Sequence, residues 1–195
     1  MAKDYLHRPL WANVLSSSRM ASVILDRDLS RFAYRCFPDG CPRDRTCCVG
    51  LTIEVTRREI RVIDSMMDEL ARLVPRLRQG RAFANVFVDD GDGPQIEPRD
   101  EAGTCPFLFG RARHALCAIH AVAVPTGRDV AAVKPQACRH FPLVLRKHGR
   151  GVRIALHPSA ERLGCVAPLA ELPGQPAIRD AFAAEIAELR RLVTG

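Results

Sequence analysis

The chain has 195 residues, 47% of them hydrophobic and 26% charged, a balance close to that of soluble folded proteins. That composition excludes a disordered, collagen-like or coiled-coil chain. The net charge of +7 and a pI near 9.3 admit an acidic or polyanionic partner without pointing to one. Arginine supplies most of the positive charge, because only Lys3, Lys134 and Lys147 are lysines.

The opening segment, Met-Ala-Lys-Asp-Tyr-Leu-His-Arg-Pro-Leu, has no apolar core and no small-residue cleavage site, so a soluble cytoplasmic protein is expected. Thiols stay reduced in that compartment, and several cysteines there more often signal metal than disulfides. Four of the eight lie in Cys36-x4-Cys41-x5-Cys47-Cys48, among Pro38, Gly40, Pro42 and Gly50. Proline and glycine let such a loop turn sharply around an ion, and thiolates are soft donors suited to zinc, copper(I) or iron–sulfur clusters.

Thr56-Arg-Arg-Glu59 has the form of a capping box, a helix start with reciprocal side-chain bonds. Ile60, Ile63, Met67, Leu70, Val74 and Leu77 follow at steps of three and four, which predicts a core-packing helix stopped by Gly80, with Pro75 kinking or ending it early. Phe83–Val88 reads as a strand ended by the Asp89–Gly93 turn, whose carboxylates lack the later bidentate glutamate of a calcium loop. A helix is expected over Arg111–Val124; its apolar run, Leu116–Val124, is far too short to span a membrane. Phe141–Arg146 and Val152–Leu156 form an expected β-hairpin. Ile178, Phe182, Ile186, Leu189 and Val193 give the closing helix, about 177–194, one apolar face. The expected fold is α+β: a small irregular single domain over 1–195, with a cysteine-cluster core about 36–165, two long packing helices and a short hairpin.

The remaining cysteines are Cys105, Cys117, Cys138 and Cys165. Cys117 and His120 stand three apart on the expected helix and would share a face, while Cys105-Pro106 and Cys138-Arg-His-Phe-Pro142 read as loops that bring ligands to it. Adjacent Cys47 and Cys48 point to opposite sides in an extended chain, so they serve different centres unless the chain bends locally. All eight cysteines (Cys36, Cys41, Cys47, Cys48, Cys105, Cys117, Cys138 and Cys165) are candidate ligands, enough for two four-thiol sites or for one cluster plus redox-active thiols. Arg139 is a candidate donor stabilising thiolate sulfur without ligating the metal. His140 is a donor, an exposed residue or a ligand.

These features resemble the YkgJ-type cysteine-cluster family, described as zinc- or iron-chelating. The matching residues are Cys47-Cys48-Val-Gly-Leu-Thr-Ile, Val55-Thr-Arg-Arg-Glu-Ile60, Cys117-Ala-Ile-His120 and Lys134-Pro-Gln-Ala-Cys138-Arg-His-Phe-Pro142, within about Cys36 to Cys165. The resemblance implies metal binding. It also touches flagellin lysine methylases, whose cysteine cluster looks similar and is associated with iron–sulfur chemistry, but no glycine-rich cofactor loop supports methyl transfer here. The expected function is a metalloprotein holding an iron–sulfur cluster, or zinc or iron ions, in support of a redox or modification reaction on a protein or small molecule. A zinc-stabilised module for nucleic acid or an acidic protein is the alternative, and metal delivery or storage a further one.

Overall fold

A computed structural model describes residues 22–35, 41–42, 46–89, 91, 93–110, 114–163 and 165–194. Helices and short strands alternate in an α+β arrangement. The described residues between 39 and 139 make up one compact unit, and those of 10–38 and 140–195 make up the other.

In the first unit, helix α1 (Arg57–Asp64) begins at the expected capping box: the Thr56 hydroxyl accepts the Glu59 amide at 3.2 Å, and the Glu59 carboxylate accepts the Thr56 amide at 2.7 Å. Two otherwise unpaired donors are satisfied reciprocally. Thr56→Ala is expected to lower stability by about 1 kcal/mol, as a denaturant titration will show.

The helix does not run unbroken toward Gly80. The Ser65 hydroxyl donates to the Val62 carbonyl at 2.7 Å, a local bond that competes with helical pairing, and the chain turns at Ser65–Met66 before α2 (Met67–Leu73) resumes. Pro75 has no amide to continue α2 and opens a 3-10 turn, Pro75–Leu77. The apolar stripe survives the break. Ile63, Met67, Leu70, Val74 and Leu77 are buried and join Phe107, Ile119 and Val122 in one core, with half-buried Ile60 packed against it.

The strand expected over Phe83–Val88 splits in two. Ala82–Phe83 pairs with Arg78–Gln79, and Phe87–Asp89 pairs with Pro94–Ile96, which Ile53–Glu54 flanks on its other edge. Asp90 and Asp92 of the acidic turn lie outside the described residues. The helix expected over Arg111–Val124 is also corrected. Residues 111–113 are outside the description, and His114–Cys117 is a strand between Cys41–Pro42 and Leu108–Phe109, leaving only Ala118–Ala123 as α3. Pairing with distant partners has overridden the local helical pattern. Two short helices follow: α4 (Val130–Val133), capped by Asp129, and α5 (Gln136–His140). Cys138 therefore lies on a helix rather than in the loop expected for it.

In the second unit the expected hairpin forms, with its first strand shifted two residues later than Phe141–Arg146. Leu143–His148 pairs antiparallel with Gly151–Leu156 from Leu143↔Leu156 to His148↔Gly151, around a turn in which Gly149 has φ +58°. Val23–Leu25 adds a parallel third strand through Val23↔Val152. Phe32–Tyr34 and Val166–Pro168 form a separate pair. The closing helix is interrupted once, at Phe182, giving α6 (Ile178–Ala181) and α7 (Ala183–Thr194). Ile178, Phe182, Ile186, Leu189 and Val193 are all buried. No helix among the described residues is long and apolar enough to cross a membrane.

Candidate metal centre

Cys47 and Cys48 occupy a tight turn, closed by the Val49 amide on the Thr46 carbonyl at 3.2 Å and the Cys48 amide on the Thr46 hydroxyl at 3.3 Å. This is the local bend that the sequence left open. The two thiols lie close enough within it to shift each other's ionisation in opposite directions. Beyond the turn the backbone joins a second cysteine segment: the Cys105 amide donates to the Cys48 carbonyl at 2.8 Å, and the Gly50 amide to Gly103 at 3.0 Å. Gly103 has φ +74°, and a Cβ there would meet the Gly50 Cα at 3.1 Å, so this approach depends on glycine.

Cys105 opens a turn whose carbonyls are held by Arg76, which donates to Pro106 at 3.0 Å and also to Leu108. The Phe107 amide favours the Cys105 thiolate, against the larger effect of burial, and the Phe107 carbonyl accepts the Ala118 amide at 2.9 Å. Leu108 pairs directly with Cys117, the last residue of its strand and the N-cap of α3. Cys105, Cys117 and Cys138 all pack against the apolar core of this unit.

Charge links five thiols and one lysine. Cys47 is lowered from 9.0 to about 6, first by the hydrogen bond from Cys48, then, against the effect of burial, by the Lys134 ammonium. Cys48 is pushed upward by giving that bond, by burial, and by negative charge on Cys47, Cys117 and Cys105. Burial pushes Cys105 up to about 12, and it raises Cys138 with added repulsion from Cys117. For half-buried Lys134, burial favours the neutral amine, but attraction from Cys117, Cys138, Cys47 and Cys48 outweighs it and raises the pKa. Lys134 thus sits within electrostatic reach of thiols drawn from three separate segments of the chain, and the Arg76 guanidinium acts on Cys105.

Among the described residues, no three His, Cys, Asp or Glu side chains are arranged to hold an ion as they stand. The donor chemistry nevertheless suits a soft metal. Without a cation between them thiolates repel one another, the same repulsion that holds the Cys48 and Cys138 protons on. Ligation therefore requires proton loss and rotation of the side chains onto the ion.

The other candidates are placed differently. Cys41 is half-buried in the strand that pairs with Ala115, two residues from Cys117. Cys36 lies outside the described residues. Cys165 belongs to the second unit, where it is buried and its carbonyl accepts the Arg35 amide at 2.8 Å. His120 is exposed on α3, and since α3 starts only at Ala118 the helical face expected to unite it with Cys117 does not form. His140 is fully buried with its Nε2 3.1 Å from a Glu188 carboxylate oxygen on α7, which turns that nitrogen to a carboxylate. Arg139 is half-buried beside Cys138 in α5. Described cysteines are all free thiols.

Sequence reasoning gave Lys134 no role, although a signal was present: it is one of three lysines in an arginine-dominated chain and stands four residues before Cys138. Compared with protein-family models, curated proteins and solved structures, the chain matches none.

The low Cys47 value has a testable sign. Between about pH 6 and 9 the unfolded chain holds the Cys47 proton and the folded chain does not, so this thiol's contribution to stability rises with pH and is lost as pH falls through about 6. In metal-free protein, the stability advantage of the parent over Cys47→Ser is expected to shrink steadily from pH 9 to pH 6. Paired thermal melts across that range will measure it.

Proposed function

We propose that the first unit is a thiolate metal centre, ligated from among Cys47, Cys48, Cys105, Cys117 and Cys138, and that the protein works as a metalloprotein of a reducing, cytoplasmic compartment. The supporting observation is that four of these thiols, Cys47, Cys48, Cys117 and Cys138, act on the half-buried charge of Lys134, while Cys105 joins them through its backbone bond to Cys48. Ordinary packing of small apolar cysteines offers no reason to keep an ammonium among them, because burying that charge is costly unless it is paired. Four thiolates on one divalent ion, or on an iron–sulfur core, leave net negative charge, which Lys134 offsets.

Zinc and an iron–sulfur cluster share this ligation chemistry. A cluster supplies one-electron transfer when bound, and zinc supplies a cross-link. Lys134 steadies the negative charge of the sulfurs, the Phe107 amide favours the Cys105 thiolate, and the surrounding core residues restrict water at Cys105, Cys117 and Cys138. Free thiols throughout the described chain are consistent with a reducing compartment.

Anaerobic purification followed by metal and sulfide analysis tests the reading. Iron with acid-labile sulfide and a visible absorbance band identifies a cluster; colourless protein with stoichiometric zinc identifies the ion. Protein that retains neither, and does not take them up on reconstitution, overturns the proposal.

A further inference from the structure

Glu59 does more than cap its own helix. One carboxylate oxygen, Oε2, accepts the Thr56 amide at 2.7 Å and the Thr56 hydroxyl at 2.9 Å, completing the capping box. The other, Oε1, accepts the Gln136 amide at 2.6 Å, from a residue 77 positions away. A capping box has no use for that second bond. Gln136 is the first residue of α5, which carries Cys138.

A five-residue helix does not sustain itself, since nucleation costs more than one turn of hydrogen bonds returns. Its leading amides also lack partners within the helix. A charged acceptor on the first amide is among the stronger hydrogen bonds available to it, and the preceding Pro135 has no amide of its own to share the work. We infer that Glu59 is a positioning residue for the metal centre, a latch that fixes α5 and so places the Cys138 thiol for ligation. This rests on the metal reading above, and it adds a control point on α1, the helix that begins nine residues after Cys48.

Three variants separate the latch from the cap. Glu59→Ala removes both. Gln136→Pro removes the donated amide together with the Gln136 side chain, at a first helical position where proline is well accommodated, and leaves the capping box intact; Gln136→Ala, which keeps the amide and loses the same side chain, is its control and should match the parent. Thr56→Ala weakens the cap and leaves the latch. Each is loaded with the metal found in the parent protein and challenged with EDTA; separately, each metal-free protein is treated with iodoacetamide and the alkylation of Cys138 is followed by peptide mass spectrometry relative to Cys48. Glu59→Ala and Gln136→Pro are expected to lose metal about tenfold faster, the usual scale for residues that support metal ligands, and to alkylate Cys138 faster relative to Cys48. Thr56→Ala should match the parent in both readouts despite its lower stability. Unchanged relative alkylation in Gln136→Pro, or a Thr56→Ala protein that behaves like Glu59→Ala, overturns the latch. If the parent itself takes up no metal, the metal reading falls, and the alkylation of Cys138 alone decides whether Glu59 positions it.

Discussion

Cys138→Ser is expected to abolish tight metal binding and to bring the melting temperature down to that of the chelator-stripped parent. Serine keeps the size of the side chain but replaces a soft sulfur by a hard oxygen that does not ionise near neutral pH. The lost stabilisation is the binding free energy linked to folding: an ion present at a thousand times its dissociation constant adds about 4 kcal/mol. Cys48→Ser should behave in the same way, because the Cys48 backbone is joined to the Cys105 segment, which keeps its thiol beside that of Cys105 among the proposed ligands. Calorimetry of each variant beside the stripped parent, with metal analysis of the same samples, checks the expectation. Full metal content with unchanged melting in both variants would remove these thiols from the centre.

Phe107→Ala is expected to cost about 3–5 kcal/mol, the range for emptying an aromatic site in a packed core. The Phe107 ring is 1% exposed and belongs to the same apolar cluster as Leu70 and Ile119. Its carbonyl accepts the Ala118 amide at the start of α3, and its amide favours the Cys105 thiolate. The cavity therefore opens beneath two of the proposed ligands, and metal retention should fall along with stability. Phe107→Leu, which refills most of the volume, should restore both in urea titration and EDTA challenge; recovery of stability without recovery of metal retention would show that the ring acts on the thiols by more than packing.

Features governed by neighbours in sequence were legible before the structure. The Thr56–Glu59 box, the hairpin around Gly149 and the buried face of the closing helix each depend on a few adjacent residues. Distant partners account for the differences. His114–Cys117 is extended because Cys41–Pro42 and Leu108–Phe109 border it, and no window around residue 115 contains both. Cys138 sits on a helix whose first amide is held from Glu59, which local propensity does not register. Cys47 and Cys48 lie in a turn that Thr46 closes, whereas the alternation rule presumed an extended chain. Lys134 acquires its meaning only from thiols that folding gathers, so its rarity in the sequence was visible and its role was not.

The parallel pairing of Val23–Leu25 with Gly151–Leu156 imposes an order on biosynthesis. The first unit lies between these two strands in the chain, so all of it leaves the ribosome while Val23–Leu25 still has no partner strand to join. At roughly 5–20 residues per second that interval lasts many seconds, whereas local helices and hairpins form within microseconds. The cysteine-bearing segment thus has time to fold before the three-stranded sheet can close. Throughout that wait an early strand with a half-exposed Ile24 is open to pairing with a neighbouring nascent chain. Crowded polysomes and slow elongation late in the message would both lengthen this exposure, making yield in overexpression sensitive to conditions that leave the stability of the finished protein untouched.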